Sequence, residues 1–303
     1  PITITLTPPA TPGTDGRFRG TFVVPTLPRD EYSLDGGQVD GTAPDLLPEQ
    51  VAEATLLIMP SITVEPDEGL VGGWSDSLWL GNDMIGPLGL MQMTTGGAVV
   101  SVVPGVAATG VAYDGANLWV GNDVGMLQER NKAGDPVGTP VTTEPAHNGG
   151  PYEDMTWKDG KLWRVEHGNV LYEFDPTTGA TLSFVHLDTV PGFPAGGHPV
   201  LGPLGALGLD WDGSVFRISF CPRGCSRLDL GLVGTYDPAA NTFTEQFVVE
   251  GFPTFGLDHD AVGDLWVGGV AGDVRRMSST GTVLALLNSG DGRISDGLEL
   301  APA

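Results

Sequence analysis

One short motif recurs along the chain and limits its possible folds more than any other feature. Each copy pairs an apolar residue with an aromatic one, usually Leu-Trp, directly after a turn. The copies follow one another at intervals of 40, 44, 53 and 50 residues, starting at Leu78, Leu118, Leu162, Val215 and Leu265. Blades of β-propellers typically repeat at about this period. The motif therefore predicts a propeller.

Each repeat has the same internal order of strands and turns. A short apolar segment that ends in Asp-Gly precedes the motif, as in Gly110–Gly115 and Gly208–Gly213. Asp-Gly is a strong hairpin signal because glycine accepts a positive φ at little cost. Two further strand-like segments follow the motif, and four antiparallel strands in one unit form a propeller blade. The repeats show no sustained 3.6-residue apolar period, which excludes helical repeats.

The C-terminus bears on the number of blades. Residues 296–300 copy the first strand of a repeat, so the chain ends on an innermost strand without partners of its own. Strand-like segments at 2–6, 17–24 and 54–59 are able to supply those partners. We therefore predict an all-β propeller of six four-stranded blades, five visible and one shared. Five blades with a separate N-terminal arm is the alternative.

The beginning of the chain does not follow the repeat. Residues 25–53 are polar and rich in Pro, Asp and Gly. We predict that residues 1–66 form an irregular, β-rich attachment arm, which also completes the closing blade in the six-blade arrangement. Residues 67–303 then form the propeller.

The charge balance excludes two classes of partner. The chain has 14 Lys and Arg against 38 Asp and Glu, a net charge of −24. Binding to nucleic acid or to an anionic membrane surface needs basic residues, so both are rejected. No apolar run reaches the roughly 18–20 residues that span a bilayer, so we expect no membrane insertion. No signal peptide is visible at Pro1, which has neither a basic start nor an apolar segment after it.

The innermost strands contain a column of candidate metal ligands. Their alignment gives Val71, Ala112, Thr156 or its neighbour Asp154, Asp210, Asp258 and Glu299. Innermost strands line the propeller axis, so the acids of the last three repeats are expected to converge there. Converging carboxylates suit Ca²⁺ or Mg²⁺. The favoured alternative is that these acids accept hydrogen bonds from neighbouring backbone amides, with no cofactor.

Two long Gly- and Pro-rich segments, 139–151 and 191–204, are the predicted recognition loops, because loops on a rigid scaffold commonly carry binding. With the adjoining tyrosine they contribute the candidate binding residues His147, Asn148, Tyr152, Phe193 and His198. The alternative is that they are plain connectors. No catalytic residue is predicted, since the chain has no Gly-x-Ser-x-Gly elbow, His-Glu-x-x-His or P-loop.

The recurring residues and the cysteines have structural interpretations. The Leu-Trp pairs are expected to pack between blades, and Asp175 and Asp237, each followed by Pro, are expected to brace turns. The two cysteines, Cys221 and Cys225, are too few for a structural zinc site. They predict a local disulfide if the protein works outside a reducing cytosol.

Several repeat phrases resemble those of NHL-like and virginiamycin B lyase-like propellers, a group that includes propeller glutaminyl cyclases. They are Gly208-Leu-Asp-Trp-Asp-Gly213, Asp159-Gly-Lys-Leu-Trp163 and Phe174-Asp-Pro-Thr-Thr-Gly179. The resemblance covers residues 68–303 and implies the fold. The lyase repeats usually read Asp-Gly-x-Leu-Trp-Phe-Thr-Glu, whereas Leu-Trp is followed here by Val-Gly-Asn, Arg-Val-Glu or Val-Gly-Gly. The metal-linked His and Glu residues of the lyase have no counterparts that can be placed, so its activity is not carried over.

The first 30 residues resemble a different group. Ile2-Thr-Ile-Thr-Leu-Thr-Pro8 and Gly16-Arg-Phe-Arg-Gly-Thr-Phe-Val-Val-Pro25 are similar to the opening of minor tail proteins from phages of high-GC hosts. This resemblance implies a virion location. It also implies that the arm contacts other virion proteins.

These observations favour a non-enzymatic virion structural or attachment protein. Its propeller would serve as a platform for binding a glycan or protein on the host surface. One alternative is a metal-dependent propeller enzyme, a lyase or hydrolase. A secreted propeller that binds carbohydrate or protein is the other.

Overall fold

The chain divides into two compact units, Pro1–Gly73 and Trp74–Ala303. The computed structural model describes residues 11–12, 18–19, 33–34, 54–55, 76–82, 89–146, 150–223, 230–292 and 294–302. Within these residues, no helix has the length and apolar character needed to cross a membrane.

The described part of the first unit consists of two short antiparallel pairs. Strand β1 (Thr11–Pro12) pairs with β2 (Phe18–Arg19), and β3 (Ser33–Leu34) pairs with β4 (Ala54–Thr55). The remainder of the predicted strands at 2–6, 17–24 and 54–59 lies outside the described residues, as does the predicted boundary between residues 66 and 67.

The second unit is a β-propeller, which confirms the predicted fold class. Its described strands form five four-stranded sheets, each ordered from the innermost to the outermost strand. Blade 1 contains β24 (Gly297–Pro302), β5 (Asp76–Gly81), β6 (Gly89–Thr94) and β7 (Val99–Pro104). Blade 2 contains β8 (Gly110–Tyr113), β9 (Leu118–Gly121), β10 (Met126–Arg130) and β11 (Pro136–Thr142).

The other three blades are each built from consecutive strands. Blade 3 contains β12 (Tyr152–Lys158), β13 (Lys161–Glu166), β14 (Val170–Phe174) and β15 (Thr181–His186). Blade 4 contains β16 (Leu204–Trp211), β17 (Phe216–Pro222), β18 (Leu230–Asp237) and β19 (Thr242–Glu250). Blade 5 contains β20 (Leu257–His259), β21 (Leu265–Gly268), β22 (Ala271–Met277) and β23 (Val283–Gly292).

The prediction of six blades is wrong, and the alternative of five agrees with the structure. The C-terminal strand β24 is an innermost strand, as predicted, but it pairs with β5, where Glu299 lies opposite Trp79. The first visible repeat therefore obtains its inner strand from the C-terminus, and no sixth blade is needed among the described strands. This pairing closes the ring between the two ends of the propeller.

The innermost strands contact one another in the order β24, β8, β12, β16, β20 and back to β24. Glycines permit this close approach. A Cβ added at Gly256 would lie 2.6 Å from the backbone nitrogen of Leu298, and one added at Gly297 would lie 2.8 Å from the Cα of Gly110. Real Cβ atoms do not come this near to backbone, so these positions require glycine.

The recurring aromatic residues fill the spaces between blades, as predicted. Trp79, Trp119 and Trp266 are buried, and the ring of Trp163 in blade 3 lies 4.8 Å from that of Phe216 in blade 4. Each such ring typically buries roughly 150–250 Å².

The aspartates of the turns brace those turns, again as predicted. Asp175 accepts hydrogen bonds from the N–H groups of Thr177 and Thr178, at 2.8 and 3.1 Å. Asp237 accepts the equivalent pair of hydrogen bonds from the N–H groups of residues 239 and 240.

Candidate functional site

The register of the blades places the predicted acid column on equivalent positions. In four blades the member lies directly opposite the Trp of the motif. In blade 4, Asp210 lies opposite Arg217, the residue after Phe216. We call these five residues the acid layer: Ala112, Thr156, Asp210, Asp258 and Glu299. Glu299 therefore occupies the position in blade 1 that the sequence alignment gave to Val71, which lies outside the described residues.

Two residues earlier on each inner strand is a second layer. It consists of glycine in four blades and aspartate in the third, and we call it the glycine layer: Gly110, Asp154, Gly208, Gly256 and Gly297. The strand β12 has an irregular register between Tyr152 and Met155, and Asp154 lies within that irregularity. The bulge directs the Asp154 side chain toward the neighbouring inner strands.

The Asp154 carboxylate is fully buried and accepts four backbone hydrogen bonds. Oδ1 accepts from the N–H groups of Val111 and Met155, at 3.4 and 2.9 Å. Oδ2 accepts from Leu209 and Leu257, at 3.3 and 3.0 Å. This one side chain thus connects the inner strands of blades 2, 3, 4 and 5. Burial raises the pKa of Asp154 well above its ordinary value, while the four amide donors act in the opposite direction.

In the acid layer, Asp210 and Asp258 meet a histidine. The Nδ1 of His259 donates to Oδ2 of Asp210 across the interface between blades 4 and 5, at 2.8 Å, and lies 3.6 Å from Oδ1 of Asp258. Both carboxylates are buried, whereas the His259 side chain is 27% exposed. Asp258 also accepts hydrogen bonds from the backbone N–H groups of His259 and Leu300, both at 2.6 Å.

The surroundings of His259, Asp210 and Glu299 strongly raise the pKa of all three groups. Hydrogen bonds to Asp210 and Asp258 raise the pKa of His259 to about 10. Burial, reinforced by the Asp258 carboxylate, raises the pKa of Asp210 to about 7. Burial and the nearby Asp258, Asp210 and Asp154 carboxylates raise the pKa of Glu299 well above its ordinary value, against a hydrogen bond from the backbone of Tyr113.

This arrangement has the chemistry of a cation site. One ligand atom each from Asp210, Asp258 and His259 lies within 4.8 Å of the other two. One nitrogen and two carboxylate oxygens suit Mn²⁺, Fe²⁺ or Zn²⁺, whereas Ca²⁺ and Mg²⁺ prefer oxygen alone. When His259 is protonated, its imidazolium supplies the positive charge that a bound cation would supply.

Sequence reasoning missed His259 because its partner is remote. In the sequence its neighbouring acid is Asp258, and adjacent residues of a strand point to opposite faces. The hydrogen-bonded partner Asp210 is 49 residues away, on the next blade. The signal was present in the repeat alignment, since Asp210 and Asp258 are equivalent and inner strands of consecutive blades are neighbours.

Of the predicted loop residues, the structure describes Tyr152, Phe193 and His198. Tyr152 is not on a loop: it lies in β12, is buried, and donates its hydroxyl to the carbonyl of Glu144 at 2.7 Å. His147 and Asn148 lie outside the described residues, and residues 139–142 of the same predicted loop belong to β11.

The second predicted loop, 191–204, is held firmly by its own side chains. Phe193 packs edge-on against Phe220 and Phe243, at 5.6 and 5.0 Å between ring centroids. The buried His198 accepts the N–H groups of residues 200 and 201 at Nδ1, and its Nε2 lies 3.2 Å from the Glu245 carboxylate. Val200, two residues after His198, is 57% exposed.

The predicted disulfide falls partly outside the described residues. Cys221 is buried in β17, in a cluster with Leu207, Phe255 and Ile294. Cys225 is not among the residues that the structure describes, so the disulfide stays a prediction.

A small cavity lies between blades 4 and 5. Its volume is about 110 Å³, and Arg217, Thr235, Gln246 and Leu265 are among its lining residues. Small-molecule sites typically occupy roughly 300–1,000 Å³. The cavity is therefore a packing gap rather than a substrate pocket.

Comparison with known proteins extends to the fold alone. No family model matches the chain, and no curated protein matches it. Among solved structures, it is similar to the glutaminyl cyclase of Myxococcus xanthus, with 16% identity over 71% of this chain and 83% of that chain and a TM-score of 0.42. It is similar to a protein of unknown function from Bacteroides caccae, with 12% identity over 71% and 74% of the two chains and a TM-score of 0.40.

The WD40 domain of Neurospora crassa Pan2 is a further neighbour, with 9% identity over 67% of this chain and 60% of that chain and a TM-score of 0.35. WD40 domains are β-propellers. At these identities no residue of the neighbours defines a role for a residue here.

Proposed function

We propose that this chain is a non-enzymatic virion protein of the minor-tail or decoration type. Its rigid propeller presents a recognition surface for a glycan or protein of the host, and residues 1–66 dock it to other virion proteins. The main support for a non-enzymatic role is that the axial carboxylates accept hydrogen bonds from the backbone of the propeller itself.

A carboxylate that acts as a general acid or base must be within hydrogen-bond reach of its substrate. Here, Asp154 accepts four backbone N–H groups, Asp258 accepts two, and Glu299 accepts one from Tyr113. These carboxylates join inner strands of different blades and therefore stabilise the ring. Ligand binding is then expected at the loops outside the axis.

The loop 191–204 supports a recognition role. Its aromatic anchor Phe193 precedes the exposed Val200, and the hydrogen bonds of His198 with residues 200, 201 and 202 hold the turn that contains it. A loop that is rigid before binding loses little conformational entropy when it binds.

The virion location is supported by sequence. Residues 2–8 and 16–25 resemble the opening of phage minor tail proteins, and a net charge of −24 disfavours contact with nucleic acid. The arm is therefore assigned to protein partners.

The location is tested by density-gradient sedimentation of a culture that produces the particles. We expect the full chain to sediment with the particles. A variant without residues 1–66, shown by its unfolding transition to be folded, should remain at the top of the gradient. The variant Gly196→Ala, in an open part of the loop where a Cβ meets no atom within 4 Å, is the control that should sediment like the wild type.

Two results would contradict this proposal. Recovery of the full chain only as a free protein in the medium would support the secreted propeller instead. Sedimentation of the shortened variant with the particles would show that residues 1–66 are not the docking segment.

The recognition surface is tested by adsorption to host cells. The substitution Val200→Asp places a charge at an exposed position of the loop and leaves the anchor side chains of Phe193 and His198 unchanged. We expect adsorption of purified protein to fall at least about tenfold, the equivalent of 1.4 kcal/mol. The matched variant Val262→Asp, at a position that is 66% exposed in blade 5, should adsorb like the wild type. Equal adsorption of wild type and Val200→Asp would remove loop 191–204 from the proposal.

A metal-dependent lyase or hydrolase is the second candidate, and the cluster of Asp210, Asp258 and His259 favours it. Three protein ligands are the number that a catalytic metal usually takes. Because a metal must replace the proton of His259, whose pKa is raised to about 10, its affinity should increase with pH.

Titration calorimetry of chelator-treated protein with Mn²⁺, Zn²⁺ and Ca²⁺ tests this candidate. It predicts one equivalent of Mn²⁺ or Zn²⁺, at least about tenfold weaker binding in Asp258→Asn, and unchanged binding in Asp237→Asn, which alters only an exposed turn. Equal binding by wild type and Asp258→Asn would exclude the cluster as the site.

A further inference from the structure

The five equivalent positions of the glycine layer differ in one blade. Gly110 and Gly297 begin their inner strands and Gly256 precedes its strand, whereas Gly208 lies within β16 and Asp154 within β12. The residue after each of these positions is buried and apolar: Val111, Met155, Leu209, Leu257 and Leu298. Because the blades repeat, the N–H groups of these following residues occupy equivalent places around the axis.

Four of these N–H groups converge on one point. Val111, Met155, Leu209 and Leu257 donate to the Asp154 carboxylate at 2.9 to 3.4 Å, two to each oxygen. An ionised carboxylate only accepts hydrogen bonds, at two oxygens with about four lone-pair sites. The donors and the acceptor sites are therefore equal in number. Backbone N–H groups that converge in this way form the concave anion sites found in many proteins.

Only one blade is able to fill this site. A Cβ at Gly110 would lie 2.9 Å from the carbonyl oxygen of Glu153 and 3.0 Å from the nitrogen of Met155. Similar contacts surround Gly256 and Gly297, so those blades have no room for a side chain. The bulge around Gly208 in β16 leaves no room either, since a Cβ there would meet the carbonyl oxygen of Phe255, and Asp154 in β12 is the member of this layer whose side chain fits.

We infer that the axis of this propeller is a carboxylate-binding ring of backbone N–H groups whose resident ligand is the chain's own Asp154. The ring is a product of the blade repeat, and the side chain of one blade occupies it. The substitution Asp154→Gly gives all five blades the same residue in this layer and leaves the donors without their acceptor. The vacated ring should then bind a small planar carboxylate such as formate. This inference does not depend on the virion role.

The test is chemical rescue of Asp154→Gly by formate. In chloride buffer we expect a clear fall in Tm, because four buried donors lose their acceptor. Sodium formate at matched ionic strength should restore about half of the lost Tm or more, in a saturable manner, since a ligand of the folded state stabilises it by mass action. Formamide, which has the same shape without the charge, should restore much less.

Two comparisons separate site binding from a general salt effect. The wild type and Asp154→Asn both keep the ring filled, so formate should leave their Tm unchanged relative to chloride. The resonance of ¹³C-formate should broaden on addition of Asp154→Gly and remain sharp with Asp154→Asn. Equal effects of formate on all three proteins, or a sharp resonance with folded Asp154→Gly, would overturn the inference.

If Asp154→Gly folds poorly, a second measurement is used. The yield of protein refolded from denaturant is compared between formate and chloride buffers. A higher yield in formate for Asp154→Gly alone supports the inference. Failure to refold in both buffers, while Asp154→Asn refolds, would contradict the proposed rescue.

Discussion

The two layers of the propeller axis lie two residues apart on every inner strand, yet they accommodate buried carboxylates in opposite ways. In the glycine layer, one carboxylate, Asp154, receives four N–H donors. In the acid layer, Asp210, Asp258 and Glu299 lie near one another, and His259 is the cationic side chain that pairs with them among the described residues.

The two layers differ in what surrounds a buried carboxylate, because burial is the largest cause of the raised pKa in both. Burial raises the pKa of Asp154, Asp210 and Glu299 alike. At Asp154 the neighbours are amide donors, which favour the ionised form. At Asp210 and Glu299 the neighbours include carboxylates, which disfavour it. The first layer therefore joins blades, while the second holds a proton or a cation.

The largest effect is expected from a methyl group added to the glycine layer. The change Gly256→Ala would place a Cβ within 2.6 Å of the Leu298 nitrogen and 2.9 Å of the Asp296 carbonyl oxygen, so two inner strands must separate. We expect a loss of at least about 3 kcal/mol in the free energy of unfolding, measured by urea denaturation. The control Gly196→Ala, where the space is open, should change it by less than about 1 kcal/mol.

A loss below about 1 kcal/mol in Gly256→Ala would mean that the inner strands move apart easily. The description of the glycine layer as a closely packed ring would then be wrong.

The next effect is a fall in stability as the pH rises. The pKa of His259 is about 10 in the folded protein against an ordinary 6.5, so its contribution is complete below pH 6.5 and is lost as the pH rises to 10. The pKa of Asp210 is raised from 3.8 to about 7, so this group also lowers the stability as the pH rises from 3.8 to 7. The slope for one proton is at most about 1.4 kcal/mol per pH unit.

Urea denaturation at a series of pH values measures this slope. In His259→Gln the fall between pH 6.5 and 10 should be much smaller. Asp210→Asn, which removes the hydrogen-bond partner, should flatten the same range. A slope in His259→Gln equal to that of the wild type would show that this histidine does not hold its proton through the acid layer.

The smallest effect is expected from the neutral substitution Glu299→Gln. The pKa of Glu299 is raised by burial and by three carboxylates, so its charge destabilises the folded state above its ordinary pKa of 4.5. Glutamine keeps an acceptor for the Tyr113 N–H and removes the charge. At pH 8 we expect a change within about 1 kcal/mol, toward greater stability. Thermal unfolding at pH 8 and pH 5 measures it, and a loss greater than about 2 kcal/mol would contradict the contrast between the layers.

Much of the blade architecture could be predicted from the residues because it is local. The Asp-Gly turns and the Leu-Trp strands repeat within each unit, and a hairpin forms between neighbours in sequence. Asp175 and Asp237 brace their own turns for the same reason. The acid layer also followed from the repeat, since equivalent residues of equivalent strands must share a level on the axis.

Prediction was poorer where the partner is distant in sequence. Tyr152 was assigned to a loop, but the bulged strand β12 begins at this residue and buries it. His259 and Asp154 find their partners on other blades, at separations of 49 and up to 103 residues. The pairing of β24 with β5, which fixed five blades instead of six, joins the two ends of the propeller.

The sequence by itself thus determined the repeated unit: its turns, its strand order and the level of each residue along the inner strands. Hydrogen-bonded turns and the alternation of a strand depend on neighbouring residues, so the sequence contains them directly. The tertiary structure alone decided how many units close the ring and which donors each axial carboxylate meets. Both depend on the angle and distance between blades, which arise only when all five pack together.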